Sequence, residues 1–156
     1  IRALLTAYLP DLGRDPERLR MWIDKGNVRT RQTESFSFEL VYRLNIVIID
    51  WTDEPIIIMA LLNEWLRRYQ PDVVASQAAP GYTFEADIVT NTAMDLSIEL
   101  DLSEAVRRVP KDDGDGYNLQ VVEEPESFPD EFAPEPPVLL KEIFWKGERL
   151  VPLDPP

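Results

Sequence analysis

The sequence predicts an α+β domain in which a mostly antiparallel sheet of about five strands carries its helices on one face. Three observations predict it: apolar residues at helical spacing in two segments, strict alternation of apolar and polar residues in others, and turn residues between them. In chain order the elements are α-β-β-α-β-β-β, followed by a C-terminal hairpin. The chain has 156 residues, of which 44% are hydrophobic. This is enough for one compact domain with an additional segment at one end.

Two segments have the periodicity of amphipathic helices. The first covers residues 1–9 and stops at Pro10. The second follows Asp53, which we expect to cap it, and ends at Gln70 before a proline. Its apolar stripe consists of Ile58, Leu61, Leu62, Trp65 and Tyr69.

The clearest strand is 36–50, because alternate residues on one of its faces are all apolar. These residues are Phe36, Phe38, Leu40, Tyr42, Leu44, Ile46 and Ile48. At ~3.3 Å per residue the segment spans roughly 50 Å, which is longer than a usual strand. We therefore expect its first half to project beyond the core as one arm of a hairpin with residues 21–31. Phe36, Phe38 and Leu40 then form an uncovered apolar patch, which predicts a subunit interface.

Three further strands are predicted at 82–89, 94–102 and 117–122. In the strand at 94–102, Asp95, Glu99 and Asp101 lie opposite a continuous apolar face. With Glu85 and Asp87 they could form a carboxylate cluster that binds Mg²⁺ or performs hydrolysis. A solvated sheet face is the simpler interpretation, since positions i and i+4 of a strand are ~13 Å apart. A third interpretation is an acidic wall lining a channel through which DNA slides without sticking.

Charge and composition exclude several classes of function. The chain has 16 basic and 29 acidic residues, for a net charge of −13, which disfavours sequence-independent nucleic-acid binding and docking on anionic membranes. We see no signal peptide and no apolar run near the ~20 residues of a membrane span. Cys and His are absent, so thiol chemistry, zinc-thiolate sites and a Ser-His-Asp triad are excluded. We expect no enzymatic activity, no metal and no cofactor. The acidic loop at 112–116 lacks the ligands of a calcium loop at Lys111 and Val122, and predicts a hairpin turn instead.

The C-terminal part of the chain differs in composition from the rest. Residues 123–137 are acidic and rich in proline, which predicts an extended tether after a domain at 1–122. The end of the chain, 138–156, contains an apolar hairpin at 138–153 that turns at Lys146-Gly147. Such a hairpin is marginally stable alone, so it either folds back on its own domain or docks on a partner. As a docking arm it would use Ile143, Phe144, Trp145 and Leu150.

Several motifs occur in the order found in one known family. They are the run from Ser35 to Asp50, Trp65-Leu66-Arg67 with Gln70-Pro71, Phe84-Glu85-Ala86-Asp87, and Asp95-Leu96-Ser97-Ile98. Over about 1–125 the chain resembles the tail completion protein R family of contractile-tailed temperate phages and their prophages. The run from Ser35 to Asp50 and the Trp-Leu-Arg…Gln-Pro segment are its specific part.

The resemblance implies a structural protein of the virion tail, assembled in the bacterial cytoplasm. It implies a role late in tail assembly, at the head-proximal end of the tube and sheath, similar to that of tail terminator proteins that form six-fold rings. The implied partners are other copies of the chain in a ring, with a hexamer as one candidate, and the tube, sheath or head-joining proteins. The family has no catalytic residues to transfer.

Two other classes of function stay open at this point. An acidic decoy would be monomeric and would capture basic proteins, whereas a tail terminator forms rings or adds to tubes. A carboxylate-based hydrolase would bind Mg²⁺ or Mn²⁺, which calorimetry detects.

Overall fold

The computed structural model describes residues 1–30, 37–75, 81–112, 114–122, 142–145 and 148–152. Its helical elements are α1 (Arg2–Tyr8), α2 (Pro10–Arg14), a 3-10 turn (Pro16–Arg18), α3 (Ile56–Tyr69) and α4 (Pro71–Ala75). Its strands are β1 (Leu19–Thr30), β2 (Phe38–Trp51), β3 (Thr83–Ile88), β4 (Met94–Pro110), β5 (Tyr117–Val122), β6 (Glu142–Trp145) and β7 (Glu148–Pro152). The predicted α+β class, with a mostly antiparallel five-stranded sheet, is confirmed.

The main sheet has the strand order β1-β2-β4-β3, and β5 also pairs with β4. All of its pairings are antiparallel. Because β4 has 17 residues, it accommodates two partners on the same side, with β3 along 94–99 and β5 along 105–110. The strands β6 and β7 form a separate antiparallel pair, which confirms the predicted C-terminal hairpin.

The core lies between the helices and one face of the sheet. Alternation along β2 and β4 places the even-numbered residues of both strands on this face, because the register pairs Ile46 with Ile98. The sheet contributes Leu19, Ile46, Ile48, Leu96, Ile98, Leu100 and Leu102 to the core. The helices contribute Leu5, Leu12, Ile57, Ile58, Leu61, Leu62 and Leu66.

Two details of the predicted elements are corrected, and the predicted helix ends at Pro10 and Gln70 are confirmed and extended. The strand predicted at 94–102 continues to Pro110, because the first part of β2 and all of β5 pair with the extension. Asp53 does not cap α3: the residue at the N-cap position is Pro55, and no side chain caps this end. Finally, Pro10 and Pro71 each end one helix and begin the next, as suits a residue that is tolerated in the first helical turn.

Candidate functional site

The sheet has two halves that differ in what covers the face bearing the helices. We call that face the apolar face and the opposite one the polar face. The inner half contains residues 19–23 of β1, 44–51 of β2, 94–100 of β4, and β3. The outer half contains residues 26–30 of β1, 38–42 of β2, 102–110 of β4, and β5.

The apolar face of the outer half is only partly covered. Val28 on β1 is 61% exposed, and Leu119 and Val121 on β5 are 68% and 54% exposed. Between these edges, Phe38 and Leu40 of β2 are half-buried. Phe36, the third residue predicted for this patch, lies outside the described residues.

Register joins these side chains into one strip across the sheet. Val28 pairs with Leu40, Phe38 pairs with Val106, and Val106 pairs with Val121. Directly paired residues lie on the same face, so the strip continues the apolar face of the core beyond the helices. We call it the outer strip, and it consists of Val28, Phe38, Leu40, Val106, Leu119 and Val121.

One carboxylate lies within the outer half of the apolar face. Glu104 is half-buried and accepts a hydrogen bond of 2.6 Å from the hydroxyl of Tyr42. Burial raises the pKa of Tyr42 far above its usual value, and the hydrogen bond and charge of Glu104 raise it further. Tyr42 therefore stays a hydrogen-bond donor at any physiological pH.

On the polar face, Arg43 binds two of the three predicted acidic residues. Its Nε and Nη2 donate to the two oxygens of Asp101 at 2.8 and 3.0 Å, and its Nη1 donates to Glu99 at 3.1 Å. The hydrogen bonds to Arg43 lower the pKa of Asp101 and raise that of Arg43. Since these side chains are largely exposed, solvent weakens the stabilisation they provide.

The third acidic residue, Asp95, stabilises the end of β2. Its carboxylate accepts a hydrogen bond of 2.9 Å from the backbone N–H of Asp50. Asp50 has a φ of 52°, a left-handed conformation that is uncommon for residues other than glycine. It lies where the register between β2 and β4 shifts, and Arg18 donates hydrogen bonds to its carbonyl and to that of Ile49. The sequence pattern did not reveal this contact of Asp95 or the role of Arg18.

Gln70 fills a gap in the sheet that the sequence also did not reveal. Its side-chain amide donates to the carbonyl of Ser103 at 2.7 Å and accepts from the N–H of Ser103 at 3.0 Å. Ser103 lies on β4 between the part paired with β3 and the part paired with β5. The buried side chain of Gln70 thus pairs with β4 as a strand residue would, and fastens the end of α3 to the sheet.

The residues predicted for a docking arm fall on the C-terminal hairpin. Ile143, Phe144 and Trp145 belong to β6, and Leu150 belongs to β7. Ile143 pairs with Val151, and Trp145 pairs with Glu148. The side chains of this hairpin and the turn residues Lys146-Gly147 lie outside the described residues.

Two further observations describe what this chain lacks within its described residues. No group of three or more acidic side chains there could hold a metal ion. In the same part of the chain, no helix is long and apolar enough to cross a membrane.

Comparison with known proteins identifies the family. A family model described as P2 phage tail completion protein R (GpR) matches residues 1–125. The chain belongs to this family. It is 31% identical over 150 residues to the tail completion protein R of Escherichia phage P2, across 95% of this chain and 92% of the relative. No solved structure matches the chain.

Membership of the tail completion protein R family confirms the resemblance drawn from the motifs. The chain is therefore a bacteriophage protein with a structural role in tail assembly, and a component of the virion tail. Its notable surfaces are the outer strip and the polar face of the sheet.

Proposed function

We propose that this tail completion protein closes the head-proximal end of the tail tube and sheath as a ring of identical subunits. The observation that carries the proposal is the outer strip, in which Val28, Leu119 and Val121 are 54–68% exposed. Phe38 and Leu40 between them are half-buried, and Val106 is buried. An exposed patch of this kind on a soluble domain typically marks a protein interface. The strip includes Phe38 and Leu40, the residues that the sequence predicts for subunit contact.

The proposed role is structural and does not require catalysis. The carboxylates that a hydrolase would use have other partners: Asp95 binds the backbone of Asp50, and Glu99 and Asp101 bind Arg43. The chain contains no His and no Cys, the residues that most often supply a general base or a nucleophile.

We also propose that the polar face lines the lumen of the ring. The helices lie on the opposite face, so this orientation would place them on the outside. Glu85, Asp87 and Glu99 are exposed on the β3 side of the polar face, whereas Arg20, Lys25 and Arg29 are exposed on its β1 side. The acidic side has the charge sign of DNA, and such walls retain DNA least during passage. Reversal of Glu99 to Lys should then slow DNA delivery from assembled tails. Asp95 is unsuitable for this test, because its replacement would disturb the bulge at Asp50.

The C-terminal hairpin is proposed to dock on a neighbouring subunit or tail protein. Residues 123–137 contain five prolines, and in a polyproline II conformation they would reach roughly 45 Å at ~3.1 Å per residue. Truncation after Val122 tests the proposal. The truncated chain should keep its melting temperature as a dilute monomer and fail to join tails. A loss of several degrees would instead show that the hairpin stabilises its own domain.

The deciding experiment uses tails from a phage that lacks the gene for this protein. Purified protein is added to these tails, and electron microscopy records its position and symmetry. A ring at the head-proximal end, followed by recovery of head attachment, is the expected result. Binding elsewhere on the tail, or no binding, would overturn the proposed function.

A further inference from the structure

The main sheet ends in two open edges that differ in charge. β1 forms one edge, and β3 together with β5 forms the other. Residues 22–30 of β1 and all of β3 are exposed, and in the described part of the chain no strand pairs with their outer sides. An exposed edge offers a row of backbone donors and acceptors to a further strand.

The charges of β1 and β3 are opposite in sign. β1 carries Arg20, Lys25 and Arg29 against the single acid Asp24. β3 carries two acids, Glu85 and Asp87, and no base. A basic edge strand is notable in a chain with a net charge of −13, in which five of 16 basic residues fall within 18–31.

The register places residues of opposite charge at the two ends of one row, which is a line of directly paired residues that crosses β1, β2, β4 and β3. Arg20 pairs with Val47, Val47 with Ser97, and Ser97 with Glu85. Arg20 and Glu85 therefore stand at opposite ends of one row on the polar face. If a second copy is added beside the first without a shift along the strands, these two opposite charges meet.

The neighbouring row, on the apolar face, has apolar residues at both ends. It begins at Met21 and ends at Phe84, through Ile46 and Ile98. Phe84 is 55% exposed, and contact with Met21 of a second copy would cover part of its ring. One pair of residues on each face of the two edges is thus complementary.

Strand direction also permits the contact. β1 is antiparallel to β2, β2 to β4, and β4 to β3. β3 of one copy and β1 of the next, with both copies in the same orientation, would therefore be antiparallel as well. β1 has 12 residues, so it would continue past β3 toward β5.

We propose that β1 of each subunit pairs with β3 of the next, head to tail, so that the sheet continues from one subunit to another. The proposal rests on the ring proposed above and adds an edge-to-edge contact to the one made by the outer strip. Two basic β1 edges repel each other, as do two acidic β3 edges, so the charges disfavour a two-fold dimer through like edges. A head-to-tail contact that closes by rotation gives a ring.

Two charge-reversed proteins test this contact. One carries Arg20→Glu and Lys25→Glu, and the other carries Glu85→Lys and Asp87→Lys. In each protein the β1 and β3 edges have the same sign of charge. Each protein alone should therefore associate at least about tenfold more weakly than wild type. Light scattering and the number of copies bound per tail measure this association. A mixture of the two should regain assembly with the subunits alternating, because every edge then meets one of opposite sign.

A control matched to the Glu85→Lys and Asp87→Lys protein has the same change in net charge at another place. Asp53→Lys with Glu54→Lys alters two exposed acids before α3 and should assemble as wild type does. Circular dichroism of each protein shows whether it is folded. If both edge variants assemble normally, or if their mixture stays unassembled while both are folded, the contact is wrong.

The outcomes separate this contact from the proposed function. If the wild-type protein joins tails as single copies, or if the edge variants join tails as it does, the edge contact is overturned while the role at the tail end stands. If the wild-type protein binds no tails, the proposed function fails whatever its state of assembly.

Discussion

The inner and outer halves of the sheet have the same alternation of apolar and polar residues and different surroundings. In the inner half, Ile46, Ile98 and Leu100 are completely buried under the helices. In the outer half, Val28 and Leu119 occupy equivalent positions on the same face and are largely exposed. Alternation in a strand therefore shows which face is apolar. It does not show whether helices of the same chain or another molecule cover that face.

The difference arises from where the helices attach. α3 follows β2 after a short connection and returns across the inner half, and Gln70 fastens its end to Ser103, where the outer half of β4 begins. Arg18 fastens the 3-10 turn to the last residues of β2. Both attachments hold the helices over the inner half, and the outer half is left available for another molecule.

Substitutions in the core of the inner half, which the helices cover, should have the largest effect on the stability of the fold. Leu62 is completely buried, so Leu62→Ala should lower the free energy of unfolding by about 2–5 kcal/mol, measured by urea denaturation. Leu119→Ala on the outer strip is the matched control, and should cost less than about 1 kcal/mol. Equal losses would contradict the contrast between the two halves.

A smaller loss is expected at the attachment of α3. Gln70→Leu keeps the side chain large and leaves the N–H and C=O of Ser103 without their partner. We expect a loss of about 1–3 kcal/mol in unfolding free energy, the usual cost of unsatisfied buried polar groups. Gln120→Leu, on an exposed position of β5, should change stability little. If Gln70→Leu is as harmless as this control, the side chain does not fasten the helix.

The outer half should show the opposite behaviour, with little effect on folding and a large one on assembly. Phe38→Asp and the more exposed Val28→Asp should leave a folded monomer that forms no ring and joins no tails. Asn27→Asp adds the same charge to the polar face of β1 and is the control. Normal assembly of Phe38→Asp, or its unfolding, would refute the role of the outer strip, and circular dichroism distinguishes the two.

The smallest effect concerns the ion pair on the polar face. Arg43 lowers the pKa of Asp101 in the folded protein. The pair therefore stabilises the fold at pH values above about 3.9, the pKa of an aspartate in the unfolded chain. This contribution is lost as the pH falls through the lower folded value. Because the pair is exposed, Asp101→Asn should cost at most about 1 kcal/mol at pH 7.

Urea denaturation across pH checks this expectation. The difference between wild type and Asp101→Asn should shrink below pH 4, since wild-type Asp101 then becomes protonated. Asp112→Asn in the turn before β5 serves as the control. A difference that does not change with pH would assign the effect of Asp101→Asn to something other than the ion pair.

Patterns within single segments predicted most of the fold. The alternation in β2 and the spacing in α3 gave both elements, and the family motifs at 35–50 and 65–71 indicated the kind of protein. The contacts of Gln70 and Asp95 could not be predicted, because each joins residues distant in sequence and depends on a gap or a bulge in the sheet. The extension of β4 was missed for a similar reason: 103–110 lacks clear alternation, and its pairing with β2 and β5 keeps it extended.

The topology of the sheet also has a consequence for how the chain folds. β1 with β2, β3 with β4, and β4 with β5 are pairs of neighbours in sequence, which can form as local hairpins. The pairing of β2 with β4 instead joins distant segments, such as Phe38 with Val106, and the chain between them contains α3. Contacts of this range form slowly, because a long loop has to close first. We therefore expect the docking of α3 and the union of the two halves of the chain to be one slow event, with the open edges exposed to other molecules until it is complete.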